Sequence, residues 1–404
     1  ISGAYAACTN GAINYIIEIR STYTNTEAKP ITLGANTALS ITIRPQAGVS
    51  AFTLGVVSGT ETAIFSFTGG DNITIDGRAG GAGASILTIE NTQTAASKYA
   101  IQFSGGSTAN TIKYCTIKGS NSISTANSTA SGVIMFGAGT NSNNTIDNCT
   151  VQQSGSNYPA VCINSYDVTN NNQISITNCN LVNFTYYGIW ANGVNNDNWT
   201  ITGNSFYADY AQSGRTNVTY MIHIADGTGY TITGNYFGGR AALCGGLAYT
   251  LTTSSSLIPI YVADCDAGAI TISGNYIQNI ALTSTFAGNQ WAPFYIAAGA
   301  ANFTIGSSGN GNTIGATSGT ANIVCTDNAV NTALAIQYFA GAILSTGTST
   351  IAYNTVGGVT FNGSNTNAGK RKYGIYLDRG TLTFSNNTIG NTTGNNMILS
   401  PVTG

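Results

Sequence analysis

Histidine occurs once in this chain of 404 residues, at position 223. It opens the phrase HIAD (His223–Asp226), and the phrase YVAD (Tyr261–Asp264) repeats that shape further on. Aligning the two sets His223 against Tyr261 and Asp226 against Asp264, with Asp266 close by. Carboxylates on neighbouring strands stand about 5 Å apart. A pair of them beside an imidazole could do acid–base work or hold a cation. The competing reading is two turn aspartates that share a loop shape, beside an exposed histidine. The chain holds only 15 acidic residues. Most stand singly in turn-like surroundings: Asp147, Asp167, Asp197, Asp209 and Asp327. A glycosidase needs a flanking carboxyl pair, so Asp226, Asp264 and His223 are the best centre for an enzyme, and Asp226, Asp264 and Asp266 a weak metal set. No phosphate loop, zinc spacing or dinucleotide fingerprint is readable, and no cofactor is expected.

Aromatic residues and cysteines form two further sets. Strand-like phrases recur, and their outward positions read Gln102, Met135, Cys162, Trp190, His223, Tyr261, Tyr295, Gln337 and Tyr376. Trp190, His223, Tyr261, Tyr295 and Tyr376 make this an aromatic stripe suited to stacking on sugar rings or to burial against another protein. A stripe covered by the protein's own loops fits equally. Of eight cysteines, Cys115, Cys149 and Cys179 share one repeat position. Adjacent strands bring such Cα atoms within disulfide range, and stacked free thiols are the alternative. Cys244 with Cys265 is a second candidate pair. Cys8, Cys162 and Cys325 have no evident partner. Sequons such as Asn72, Asn127 and Asn148 are expected by chance in so Asn- and Thr-rich a chain.

These sets are positioned by internal repeats. One phrase, Asn/Thr-Ile-x-x-Cys/Asn-x-apolar, recurs as NTIKYCTI (from Asn110), NTIDNCTV (Asn144), SITNCNL (Ser175), TITGNSF (Thr200), TITGNYF (Thr231), TISGNYI (Thr271), TIAYNTV (Thr350) and LTFSNNTI (Leu382), with NTIG at Asn312 as the match in an interrupted copy. An alternating phrase precedes each, such as YAIQF (Tyr99–Phe103), YMIHI (Tyr220–Ile224) or YGIYL (Tyr373–Leu377). Period-two alternation of Ile, Thr, Val, Tyr and Phe makes strands. The Cys/Asn position recurs at irregular intervals, 115, 149, 179, 204, 235, 275 and then 354 and 387, so loops of varying length leave a fixed cross-section. That pattern predicts a right-handed parallel β-helix of about eleven coils of three short strands: strand A from the alternating phrase, strand B from the Thr-Ile phrase, a bend at the Cys/Asn, then strand C. The Cys/Asn itself is expected to take the left-handed backbone of the bend. Ile101, Ile134, Val161, Ile189, Ile222, Ile260, Phe294, Ile336 and Ile375 should form a buried ladder. Asn204, Asn235, Asn275, Asn354 and Asn387 should form an amide ladder. The whole of 1–404 reads as a single domain: an N-terminal edge over 1–30, regular coils over 31–390 and a tail over 391–404.

Composition narrows the class. Only 7% of residues are charged, against roughly 25% in ordinary domains, while 42% are hydrophobic, which supports a sizeable core. A net charge of −2 leaves no basic footprint for nucleic acid. No apolar run approaches the roughly 18 residues of a membrane-spanning helix, so membrane insertion is not expected. No signal peptide precedes Ile1, which fits a mature form or a fragment. The polar, uncharged, Thr/Asn-rich composition reads as secreted or cell-surface.

The run SILTIENTQTAASKYAIQF, with ITIRPQAG and NITIDG upstream and NTIKYCTIKGS and NSNNTIDNCTVQ downstream, resembles secreted or surface right-handed β-helix repeat proteins of Bacteroidetes, within the pectate-lyase-like superfamily in the broad sense. The resemblance covers roughly Ile31 to the end. It implies the fold and an extracellular setting. Two departures stand out: no amphipathic capping helix precedes Tyr15, and no C-terminal sorting domain follows. Neither a pectate-lyase-like Ca²⁺ cluster nor a polygalacturonase-like triple-Asp pattern is present. The expected function is structural or adhesive at the cell surface, with end-to-end self-association into filaments and surface glycans as partners. The alternatives are a polysaccharide-active lyase or hydrolase, or a carbohydrate-binding module.

Overall fold

The computed structural model describes residues 1–56, 59–122, 131–166, 171–193, 196–316, 322–328, 336–363, 371–390 and 397–400. Asn127, Asp167 and the tail outside 397–400 lie outside the described residues, as do the side chains of Ile336 and Gln337. The protein is all-β, a right-handed parallel β-helix. Helix among the described residues is confined to Ser2–Ala6 and a 3₁₀ turn at Ala79–Gly81. The chain divides into two compact units, Ile1–Phe184 with Trp190–Thr200, and Thr185–Ile189 with Ile201–Gly404.

In the first unit each coil runs A, B, C. One coil is Ile101–Ser104, Thr111–Lys113 and Thr116–Gly119. Every strand pairs in parallel with its counterpart one coil away. The inward side chains therefore stack in register, each column alternating with positions on the opposite face as the pleat requires. The A column is Ile31, Phe65, Ile101, Ile134 and Ile163. The B column is Ile17, Ile43, Ile75, Ile112, Ile146 and Ile176. The C column is Leu54, Ile89, Ile117, Val151 and Leu181. Almost all of these side chains are fully buried. Phe67, Phe103 and Phe136 add a stack with centroids 4.6 and 4.7 Å apart, closed edge-on by Trp199 at 6.0 Å.

The second unit keeps this scheme and adds a fourth strand, D, in the return loop. Its members are Gln212–Arg215, Tyr249–Thr253, Ile280–Ser284, Ile323–Asp327, Val359–Gly363 and Met397–Ser400. Its inward column is Leu251, Leu282, Cys325 and Phe361, and Leu399 pairs in register with Phe361. Three strands per coil is thus corrected to four in this unit. The D strands sit at differing distances from the Thr-Ile phrase, so no fixed period exposes them.

Three local expectations change. Val161 is not on the A column, because Ile134 pairs with Ile163, a slip of two residues that keeps the same face inward. Ile336 pairs with Asn289 and Arg371, while Gly341 stands opposite Ile375; a bulge in the eight-residue strand Ile336–Ile343 shifts the register. The left-handed residue of the bend is the one before the ladder position. Tyr114, Asn148, Asn178, Gly203, Gly234, Gly274, Tyr353 and Asn386 have φ between 50° and 70°. Placing the strained residue first turns the next side chain inward, where its amide or thiol is buried.

A single helical turn, Ser2–Ala6, precedes the first B strand, and its Tyr5 is buried. The Tyr5 hydroxyl donates to the Gly34 carbonyl and accepts from Asn36 Nδ2 at 2.8 Å. The segment ahead of Tyr15, expected to hold no amphipathic capping helix, holds this one turn, which is too short to display a helical period.

Candidate functional site

The aromatic residues converge most clearly. In the second unit Tyr187, Tyr220, His223, Tyr261, Tyr295, Tyr338, Tyr373 and Tyr376 form one continuous array on the A face. Successive centroids lie 5.6 Å (Tyr187–Tyr220), 5.0 Å (Tyr220–His223), 4.9 Å (His223–Tyr261), 5.7 Å (Tyr261–Tyr295), 6.1 Å (Tyr295–Tyr338) and 5.5 Å (Tyr338–Tyr373) apart, and Tyr373 lies 5.2 Å from Tyr376. The register sets His223, Tyr261 and Tyr295 directly in line, followed by Ala342 and Tyr376. Tyr187 and Tyr338 are buried and the others half-buried. Where rings stack, as in Tyr187–Tyr220 at 10° and Tyr261–Tyr295 at 23°, each occupies its neighbour's face, so the array offers solvent mainly ring edges and hydroxyls. Burial raises the Tyr187, Tyr220, Tyr261 and Tyr338 phenols above their ordinary range, and they are protonated donors at neutral pH.

Three members of the predicted stripe stand elsewhere. Trp190 is 3% exposed, in a strand buried along its whole length. Met135 packs under Tyr99 and Ala63. Cys162 turns its sulphur toward the Val151 carbonyl, 3.6 Å away, and Asn164 takes the outward place beside Met135. Side-chain alternation alone does not reveal that these faces carry a second layer. The missed members, Tyr187, Tyr220, Tyr338 and Tyr373, are end residues of the strand phrases and not outward positions within them.

Asp226 and Asp264 follow the aligned pair Ile224 and Val262 at the same offset. Each bonds into its own turn: Asp226 Oδ1 accepts from the Gly227 amide at 2.7 Å, and Asp264 Oδ1 from the Cys265 amide at 2.8 Å. Asp264 and Asp266 are exposed. His223 lies among the rings, where burial lowers its pKa to about 3. It is therefore a neutral imidazole at physiological pH. No group of three or more His, Cys, Asp or Glu is placed to hold a metal ion among the described residues.

A further cluster, unmarked by any repeat phrase, lies in the first unit. Arg78 grips Asp76 through Nε (2.9 Å) and Nη2 (2.7 Å), Lys113 Nζ lies 3.6 Å away, and the guanidinium sits 3.8 Å over the Tyr114 ring. Burial works to raise the Asp76 pKa, but the Arg78 hydrogen bonds and the two cations hold it below its usual value. With one carboxylate held between two cations, this cluster ties a corner between coils.

All eight cysteines are buried as thiols, outside any disulfide. Cys115, Cys149 and Cys179 stack at the bend, joined by Thr150 N–H to Cys115 O (3.0 Å) and Asn180 N–H to Cys149 O (2.8 Å). Cys244 and Cys265 do not face each other: the first sulphur points to the Tyr276 carbonyl (3.7 Å), the second to that of Ala298 (3.5 Å). In the second unit the same bend carries amides. Asn204, Asn235, Asn275, Asn312, Asn354 and Asn387 run in an unbroken ladder, each Nδ2 donating to the next Oδ1 at 2.8–3.0 Å.

Fold and site together define a right-handed parallel β-helix protein with a polar bend column and an aromatic face. No protein-family model matches the chain, and no curated protein matches it. Among solved structures it is similar to PfbA, a surface adhesin of Streptococcus pneumoniae, at 13% identity and a TM-score of 0.35, over 98% of this chain and 87% of that one.

Proposed function

We propose that the protein is an extracellular structural or adhesive β-helix protein whose A face, centred on Tyr220, Tyr261, Tyr295 and Tyr376, is the contact surface. The observation that carries this is the aromatic array, half-exposed and bordered by the exposed Asp264. Such a face suits an uncharged or cationic partner, surface glycans included, and disfavours acidic polysaccharides. The carboxylates of the enzyme alternative are tied into separate turns, and His223, its basicity lowered among the rings, is a poor general base.

The test pairs binding with turnover. Intact protein on an array of neutral, amino and acidic glycans should retain neutral or amino sugars, and Tyr261→Ala with Tyr295→Ala should weaken retention at least tenfold. No glycan should be cleaved. Product release by the wild-type protein that is lost in both Asp226→Asn and Asp264→Asn would establish the polysaccharide-active enzyme instead.

End-to-end self-association is part of this proposal. The first B strand, Asn14–Ile19, and the last, Thr381–Ser385, each have a paired neighbour on one side only among the described residues. Ile16 (55% exposed), Phe384 (44%) and Ile389 (46%) are open on the outermost strands. Unpaired edges invite another chain, and a head-to-tail contact that does not close makes a filament.

A further inference from the structure

The bend column changes chemistry between the units. Asn235 donates its N–H to Asn275 Oδ1 at 2.9 Å. In the first unit the same bond runs from the Cys149 N–H to Cys179 Sγ, at 3.5 Å. A thiol is a poor acceptor, so cysteine gives up hydrogen-bond strength that asparagine supplies at this bend.

The three sulphurs share one local geometry. Each donates to the carbonyl two residues before it: Cys115 to Lys113 (3.3 Å), Cys149 to Asp147 (3.3 Å), Cys179 to Thr177 (3.1 Å). Cys149 and Cys179 also reach back to the preceding coil, at Ile112 (3.6 Å) and Ile146 (3.5 Å). Repeated geometry means that the sulphurs are related by the step between coils, about 4.8 Å. A metal–thiolate bond is about 2.3 Å, so two collinear bonds span about 4.6 Å. The column thus matches a linear S–metal–S unit, and it offers its sulphurs two at a time.

We propose that the Cys115–Cys149–Cys179 column binds one soft monovalent d¹⁰ cation, copper(I) or its analogue silver(I), linearly between two adjacent thiolates. Thiolate ligands select such ions. Two S–H bonds break and two S–metal bonds form, two protons pass to solvent, and no electron is transferred. Cys149 belongs to both adjacent pairs, so one ion fills the column. Burial holds the Cys149 and Cys179 thiols well above their ordinary pKa, so these two are protonated before metal binds. All three side chains are at most 2% exposed, and loading needs either a transient opening or metal present during folding.

The experiment uses the full chain, reduced with a phosphine. Silver(I) is added to folded protein and, separately, during refolding. After desalting, metal content and sulphur-to-metal charge-transfer absorption are read. Wild type should retain one silver ion more than Cys149→Asn, a variant that copies the residue used at this bend in the second unit. Cys115→Asn and Cys179→Asn should each keep that ion, while the double variant, which leaves Cys149 alone, should lose it. Retention by either loading route supports the site. Equal silver in wild type, Cys149→Asn and the double variant overturns it, and the double variant decides the matter should Cys149→Asn fail to fold.

Discussion

Asn235 shows how little slack a ladder residue has. Its Nδ2 serves Ile201 O (2.8 Å) and Asn275 Oδ1 (3.0 Å), and its Oδ1 accepts from both the backbone and the amide of Asn204. Asn235→Leu leaves those partners buried and unbonded, a loss of about 1–3 kcal/mol, which a thermal melt measures; an unchanged melting temperature would contradict an inward, bonded ladder. His223 carries a pH dependence of known sign. Its folded pKa of about 3 lies below the unfolded value near 6.5, so the unfolded chain takes up the proton first. The neutral-His contribution is complete above about pH 6.5 and is lost as pH falls toward 3. Melting temperature should therefore drop between pH 7 and 4.5, above the carboxylate range, and His223→Phe should flatten that drop. A slope unchanged by the substitution would show that His223 is not the group responsible.

The coil is the element, and how much of it the sequence reveals depends on how rigidly its parts are spaced. Strand B and strand C are joined by one tight bend, so NTIDNCTV or TITGNYF displays both strands, the bend and the inward Cys or Asn at fixed offsets. The amide ladder was legible for the same reason at Asn204, Asn235, Asn275, Asn354 and Asn387; Asn312 was missed, because NTIG was aligned with strand B whereas it is the bend and strand C. Strand A floats on a loop of variable length, and two of its assignments slipped, Val161 for Ile163 and Ile336 for the place that Gly341 holds. Strand D floats on both sides and was invisible. The A-face array was half legible: His223, Tyr261, Tyr295 and Tyr376 alternate correctly, while the burial of Trp190 depends on layers outside the strand, and Tyr187, Tyr220, Tyr338 and Tyr373 are end residues of the phrases. D is nonetheless part of the core. Leu282, 1% exposed between Leu251 and Cys325, should cost about 2–4 kcal/mol when cut to alanine. A loss below about 0.5 kcal/mol would mean that D is a surface ornament.

For the whole molecule, low charge is the governing property. With 7% charged residues, little repulsion opposes close approach of two faces. Negative-stain electron microscopy of concentrated protein should show filaments that shorten when Phe384 and Ile389 are replaced by lysine, since an ammonium buried in a head-to-tail contact loses its hydration. Monomers at every concentration would refute end-to-end assembly. Far-UV circular dichroism should be dominated by strand; a strong helical spectrum would contradict the fold itself.

Ladder partners lie 31 to 42 residues apart in the chain, and this spacing governs how fast the protein can form. Closing a loop of that size costs about 3 kcal/mol of chain entropy before any contact rewards it, and an isolated coil has no neighbour on which to bury its apolar columns. A coil added to an existing one meets the same closure cost but gains three or four paired strands at once. Folding should therefore begin rarely and spread from coil to coil. After dilution from denaturant, refolding should be slow, on the order of seconds or longer, and a short pre-formed block of coils carrying the bend ladder should accelerate it by acting as a template.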